Sequence, residues 1–141
     1  MLWQRNANRA MPGKRFLLDT HALIAVLKGN QSLLDLTSSA EWVGISVISI
    51  LEFSSFSGMT SPDLDLLREF EAAVALVDIA HTDQALMQLI AQTRLNTKLK
   101  LPDAIIVASA ELNDATLITN DAQLLKHGNT DSPITAQGFP S

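Results

Sequence analysis

The chain contains no cysteine. Disulfides, thiolate metal sites and cysteine nucleophiles are therefore excluded, and the absence fits a reducing, cytoplasmic setting. Long hydrophobic runs are missing as well. The longest, such as Ala22–Leu27, falls far short of the roughly 20 residues needed to cross a bilayer as a helix. With 5 prolines and 6 glycines in 141 residues, no stretch is rich enough in either to act as a linker. There is no internal repeat and no low-complexity tract, so one domain with a sizeable core is expected. The opening segment MLWQRNANRAMPGKR lacks the apolar stretch of a secretory signal. Residues 1–15 are expected to form a flexible extension, with Met11 an alternative start, and residues 16–141 a single domain.

Basic residues are also scarce, and they are unevenly placed. Of the 10 lysines and arginines, Arg5, Arg9, Lys14 and Arg15 precede Phe16, whereas all 15 acids follow it. The body of the chain therefore carries fifteen acids against six bases, a balance of −9 over residues 16–141. Such a body repels nucleic acid unless cations intervene.

The chain is 47% hydrophobic, which marks it as globular. Four short apolar runs read as strands: Arg15–Leu18, Trp42–Ile45, Ala75–Val77 and Thr116–Ile118, with a weaker fifth near Pro133–Thr135. Helical patterns lie between them at Ala22–Lys28, Ser32–Ser39, Val47–Phe56, Leu64–Ala73, Asp83–Leu95 and Ala104–Leu112. Thr82 is the expected N-cap of the fifth helix, and Ser61-Pro62 opens the fourth. Alternating strands and helices imply right-handed parallel βαβ units. Continuous rather than alternating apolar strands imply a sheet covered on both faces. The expected fold is a three-layer α/β/α sandwich around a parallel sheet of four to five strands, with ligands at the carboxyl ends of the strands.

That rule directs attention to four acids. Asp19 ends the first strand, Glu52 lies on the helix after the second, Asp103 heads the helix LPDAIIVASAEL, and Asp121 follows the fourth strand. Each also has an ordinary structural reading. Asp19 suits a helix cap, Asp103 the first turn of a helix dipole, and Asp121 beside Asn120 a turn. Glu52 shares a helical side with Ile48 and Leu51, where an isolated carboxylate requires a partner. Taken together the four are more specific, because clustered carboxylates repel unless a cation sits among them. Hard oxygen donors without sulfur suit Mg²⁺ or Mn²⁺. One ion, two ions clamping a phosphodiester, or one ion with its water shell are all compatible with the set. A bound cation also explains how an acidic body accepts an anionic substrate.

Thr20, Ser46, Ser49, Thr119 and Asn120 flank the acids and can orient them, although capping and turn formation are the expected roles of Ser46 and Asn120. Arg94, Lys98 and Lys100 cluster before Asp103, where they can meet RNA phosphates or complement a helix C-terminus. His21, a lone histidine at a helix start, is expected to be structural. His81 and His127 have no supporting neighbours in sequence, and Trp3 and Trp42 are expected to be packing residues. The helix Ala104–Leu112 is apolar nearly all round, so it is expected to be covered on several sides.

Asp19-Thr20 after strand one, the S-x-x-S-x-x-E of Ser46–Glu52, the LPDAIIVASA of Leu101–Ala110 and the LITND of Leu117–Asp121 together resemble a PIN domain. Within that family the chain is similar to VapC-type toxins of toxin–antitoxin pairs, over Phe16 to about Thr135. The resemblance implies a Mg²⁺- or Mn²⁺-dependent ribonuclease whose acidic site is Asp19, Glu52, Asp103 and Asp121, supported by Thr119. It implies in-line attack by activated water, leaving a 5′-phosphate and a 3′-hydroxyl. Its implied partners are an RNA substrate such as tRNA or rRNA, a cognate antitoxin, and a second copy of the chain. Leu124 and Leu125 stand where family members often carry an aromatic, a core substitution with little bearing on chemistry. A non-catalytic PIN-like module that binds RNA or protein is the alternative, and the complete acid set argues against it. A receiver or phosphohydrolase domain is disfavoured, since no D-x-D-x-T follows the first strand and no lysine ends a matching one.

Overall fold

The computed structural model describes residues 11–128 and 134–141, with side chains from Lys14 onward. Five strands, β1 (Met11–Leu18), β2 (Ala40–Ser46), β3 (Ala75–Val77), β4 (Thr116–Ile118) and β5 (Ala136–Gln137), form one sheet in the order β3-β2-β1-β4-β5. Every neighbouring pair is parallel. The helices are α1 (Thr20–Leu27), α2 (Gln31–Ser39), α3 (Val47–Ser54), α4 (Ser61–Ala73), α5 (Gln84–Asn96), α6 (Leu101–Leu112) and α7 (Ala122–Gly128).

Strand alternation separates the two faces. Phe16 and Leu18 of β1 point into a core shared with Leu23 and Val26 of α1, Leu33 of α2 and Phe70 of α4. Leu17, between them, joins Ile106 and Val107 of α6 and Leu124 of α7 on the opposite face. Helix α5 packs on α6 through Leu86, Ile90, Ile105 and Ala108. The three-layer α/β/α arrangement expected from the sequence is therefore present. Residues Ala104 to Ala110 of α6 are buried without a break, because this helix is covered by the sheet on one side and by α5 on another.

The structure departs from expectation in several places. The first strand begins at Met11 rather than Arg15. Pro12 and Gly13 disfavour a strand locally, and the pairing with β2 shifts between Met11 and Arg15 to absorb them. Residues 1–10 of the expected extension, including Trp3, lie outside the described residues. The fifth strand lies at Ala136–Gln137 instead of Pro133–Thr135, and Pro133 is outside the described residues. The N-cap of α5 is Asp83 rather than Thr82, its carboxylate accepting from the Leu86 amide at 3.1 Å. Thr60 caps the helix opened by Ser61-Pro62, with Asp63 completing a reciprocal capping box. Helix α7 was not expected, since AQLLKHG is too short for an apolar period to stand out.

Trp42 packs at a strand position, and its neighbours explain two other residues. Arg15, its register partner on β1, lies over the indole at 4.7 Å and donates from Nε to the Asn113 carbonyl at 2.8 Å. The indole folds across Gly44, two residues along on the same face, where any Cβ would overlap the ring. Gly44→Ala is expected to push the indole off its seat and cost about 1–3 kcal/mol. Chemical denaturation followed by circular dichroism measures this, and an unchanged midpoint would show that the ring moves freely.

Candidate active site

Asp19 follows the last residue of β1, and its amide donates to the Ile118 carbonyl of β4 at 3.1 Å. It is also the N-cap of α1, with Oδ1 accepting from the Ala22 amide at 2.8 Å. Capping therefore uses one carboxylate oxygen. The other accepts a very short hydrogen bond from the Thr119 hydroxyl, which lies just past the end of β4. The residue is only 3% exposed. Burial raises its pKa above the ordinary carboxylate value, opposed by the bonds from Thr119 and Ala22 and by the charge of His21.

Glu52 comes from α3, whose start is fixed by the buried Ser46 hydroxyl accepting from the Ile48 amide at 3.1 Å. The Thr20 hydroxyl donates to Glu52 Oε1 at 2.6 Å and lies 3.2 Å from the buried Ser49 hydroxyl. A hydroxyl has one proton, and the shorter, charge-assisted bond takes it. The apolar side expected for this helix is different from the one observed. Leu51 is 55% exposed, and the buried residues are Ser49 and Phe53. Glu52 therefore borders a polar cavity and is partnered by a hydroxyl.

Asp103 stands in the first turn of α6, after Pro102, where no side chain caps the helix. Its pKa is raised first by burial and then by the charges of Asp121, Glu52 and Asp19, with Lys100 acting in the opposite direction. The mutual repulsion expected from the sequence is thus present. Asp121 follows β4 through Thr119 and Asn120. Its Oδ1 accepts from the Gln123 amide at 2.9 Å and the Leu124 amide at 3.0 Å, so it caps α7. Its own amide donates to the Thr119 hydroxyl at 3.0 Å.

Asp19, Glu52, Asp103 and Asp121 line one cavity of about 140 Å³, together with Thr20, His21, Phe56, Ile106 and Leu124. Among the described residues, no three acidic or histidine side chains are grouped so that they could hold a metal ion together. Carboxylates that repel one another stand apart, and magnesium takes only one or two protein carboxylates directly while keeping several waters. The donor set, hard oxygens and no sulfur, fits such an ion. Asp19 and Asp103 would hold it, with Glu52 and Asp121 acting directly or through water.

The flanking residues divide. Thr20 and Thr119 bond to site acids, Ser49 sits beside Thr20, and Ser46 caps α3. Of the basic cluster, the Lys100 charge reaches Asp103, while the Arg94 guanidinium donates to the Leu99 carbonyl at 2.5 Å and braces the α5–α6 connection. Lys98 is exposed. His21, expected to be structural, is exposed and lines the cavity. Its place directly after Asp19-Thr20, on the first turn of α1, was the signal available in the sequence. Phe56 and Ile106 were not singled out, and Leu124 was read only as a core residue, because apolar lining residues look like core residues in a sequence.

The sequence profile of the PIN domain matches residues 16–129. No curated protein matches the chain significantly. Among solved structures, VapBC2 from Rickettsia felis, bound to a DNA fragment from its promoter, superimposes with a TM-score of 0.72 at 16% identity, covering 89% of this chain and 99% of that one. DNA-bound VapBC from Salmonella typhimurium gives 0.69 at 18% identity, over 89% and 98%. A toxin–antitoxin complex from Klebsiella pneumoniae gives 0.66 at 24% identity, over 84% and 94%. At these identities the likeness is one of fold.

Proposed function

The chain belongs to the PIN domain family, and from that premise we propose that it is a metal-dependent endoribonuclease, the toxin of a type II toxin–antitoxin pair. The observation that carries the reading is the convergence of four carboxylates from four βα units on one cavity. When bound there, a Mg²⁺ or Mn²⁺ ion supplies Lewis acidity toward a phosphoryl oxygen and lowers the pKa of a water molecule. The chain's own groups prepare the site. Thr119 holds Asp19 and Thr20 holds Glu52 in fixed orientations, and the buried helix α6 mounts Asp103 rigidly. Lys100, with Lys98 beside it on the surface, offers positive charge to an RNA backbone approaching an otherwise acidic body. Arg94 contributes indirectly by bracing that connection.

An antitoxin has a suitable landing surface next to the acids. A larger cavity of about 390 Å³, lined by Ile24, Leu27, Phe53, Phe56, Met59 and Leu66 among others, shares Phe56 with the acid cavity. An apolar groove of this kind suits an amphipathic helix. A segment that continued past Phe56 would reach the carboxylates. One of the named neighbours is itself a toxin–antitoxin complex. Pairing of two copies belongs to the same reading, and exposed Leu95 and Leu101 offer apolar surface for it. Among the described residues no helix is long and apolar enough to cross a membrane, and the activity is assigned to the cytoplasm, where RNA substrates such as tRNA and rRNA lie.

Cleavage of a panel of tRNAs and rRNA fragments tests the reading. Pure protein is expected to cut with Mg²⁺ or Mn²⁺, to stop in EDTA, and to leave 5′-phosphate and 3′-hydroxyl ends. Undiminished cutting in EDTA would sink the metal requirement. Failure on every RNA, with no cation bound, would favour a non-catalytic binding module.

The raised pKa values give a second expectation. The folded chain binds protons at Asp19 and Asp103 more tightly than the unfolded chain does. Without a cation, these acids therefore cost stability as pH rises above their ordinary value of 3.8, and the cost is full above their folded pKa values. A cation bound only by the folded chain adds about 2.7 kcal/mol at a hundredfold excess over Kd. The rise in melting temperature on adding Mn²⁺ is expected to be larger near neutral pH than at pH ~5, because protons compete for the same oxygens. A shift independent of pH would contradict carboxylate ligation.

A further inference from the structure

The β4–β5 ladder ends in an unusual way. The Leu117 amide donates to the Thr135 carbonyl at 2.8 Å, and the Thr119 amide to the Gln137 carbonyl at 3.0 Å. A parallel ladder repeats every two residues, so the next bond would run from the Asp121 amide to the Phe139 carbonyl. It does not form. The Asp121 amide donates instead to the Thr119 hydroxyl at 3.0 Å. The Phe139 carbonyl accepts from Asn120 Nδ2 at 2.9 Å, and the Phe139 amide donates to Asn120 Oδ1 at 2.8 Å. A side-chain carboxamide has taken the place of a peptide unit, satisfying both main-chain groups of Phe139.

This substitution releases residue 121 from the sheet. A chain that continued the ladder would keep Asp121 in strand geometry beside Phe139. Freed from it, Asp121 turns and caps α7 through the Gln123 and Leu124 amides, and its side chain lines the cavity with Asp19, Glu52 and Asp103. The segment on the other side of the clasp is itself tied down. Phe139 packs against the core on the α1 face, and the Pro140 carbonyl accepts from Asn30 Nδ2 at 2.6 Å. Gly138 lets this strap lie close, since a Cβ there would meet Asn120 Oδ1 at 3.1 Å. The turn between Thr119 and Asp121 is thus held from outside the cavity by the Asn120 clasp on Phe139, with the Asn30 bond to Pro140 lying beyond it.

We infer that Asn120 is a positioning residue of the acid site: by clasping the main chain of Phe139 it ends the β4–β5 ladder and turns Asp121 into the cavity. The inference rests on the nuclease reading for its catalytic consequence, and on the hydrogen-bond geometry alone for its structural one.

The test compares Asn120→Ala, Asn120→Asp and Asn30→Ala with the wild type in the full chain. Amide hydrogen exchange at Gln123 and Leu124 reports whether the Asp121 carboxylate keeps its place, with no cation and no substrate present. In Asn120→Ala both amides are expected to exchange about tenfold faster, as for the loss of two hydrogen bonds. Mn²⁺ affinity by calorimetry and kcat on RNA are expected to fall roughly 10–100-fold, with KM little changed. Asn120→Asp keeps an acceptor for the Phe139 amide and loses the donor, so it is expected to fall between. Asn30→Ala releases the far end of the strap and a cap of α2, and is expected to leave Gln123, Leu124 and Mn²⁺ affinity at wild-type values. Unchanged exchange at Leu124 in Asn120→Ala would overturn the inference, as would equal acceleration in Asn30→Ala. Faster exchange with wild-type affinity and kcat would also overturn it, reducing Asn120 to a structural tie. If the wild type binds no Mn²⁺ and cuts no RNA, the nuclease reading fails, and the exchange comparison alone decides whether the clasp places Asp121.

Discussion

Asp103→Asn is expected to lower RNA cleavage by more than about 100-fold while leaving the fold intact and the cation-free protein no less stable. Loss of an outer-shell partner of a metal ligand costs roughly 10–100-fold, and loss of a ligand should cost more. The substitution keeps the shape of the side chain and removes its charge. That charge stands against Asp121, Glu52 and Asp19 and is partly desolvated, so its removal relieves repulsion in the absence of a cation. Melting temperature should hold or rise while activity collapses, the pattern of a group kept for function at the expense of stability. The two halves are measured separately, by thermal denaturation in EDTA and by initial rates with Mn²⁺. A variant both inactive and clearly less stable would point to a structural cap. One that retains most of its activity would remove Asp103 from the site.

Thr119→Val is expected to be the most damaging change among the supporting hydroxyls. The residue is fully buried, and its hydroxyl donates to Asp19 Oδ2 and accepts from the Asp121 amide. Valine fills the same space with no polar atom. It leaves Oδ2 of a buried carboxylate without its donor, though Oδ1 keeps the Ala22 amide, and a main-chain amide without an acceptor, at a cost of about 1–3 kcal/mol for each buried group left unsatisfied. The sign with pH follows from the direction of the shift. The Thr119 bond lowers the Asp19 pKa against the larger effect of burial, so its loss raises that pKa further. The acidic limb of the activity profile should move to higher pH. The stability deficit should be largest near neutral pH and shrink on acidification, because a protonated Asp19 no longer needs the donor. The part of the deficit owed to the Asp121 amide should remain at all pH values. A profile superimposable on the wild type would show that Thr119 does not control Asp19.

Much of this arrangement could be read from the residues, and the exceptions have physical causes. Strands β2 and β4 were legible because parallel strands covered on both faces are continuous apolar runs, and β3 is equally apolar although Leu76 at the sheet edge is exposed. The first four residues of β1 were not legible, because Pro12 and Gly13 disfavour a strand locally, whereas the tolerance of one shifted register is a property of the pair with β2. Asp19 was read both as a cap and as a site acid, and it is bonded as a cap through one oxygen while the other faces Thr119. Glu52 was picked out for a reason that holds in part, since Ile48 packs against the core and the carboxylate does have a partner. Its helix does not bury the Leu51 side, and the partner that holds it is Thr20, 32 residues away in sequence. His21 was set aside because a single histidine carries little signal, although its helix start shares the cavity with Asp19. Asn120 looked like turn chemistry, and it does end a strand. What the local sequence could not reveal is its partner, Phe139, 19 residues further on.

The central claim is that Asp19, Glu52, Asp103 and Asp121 together hold a divalent cation, and titration of the pure protein with Mn²⁺ by calorimetry tests it most directly. Saturable binding at neutral pH that weakens on acidification and is lost in both Asp19→Asn and Asp103→Asn is the predicted result. No binding by the wild type, or binding that survives unchanged in both variants, would contradict it.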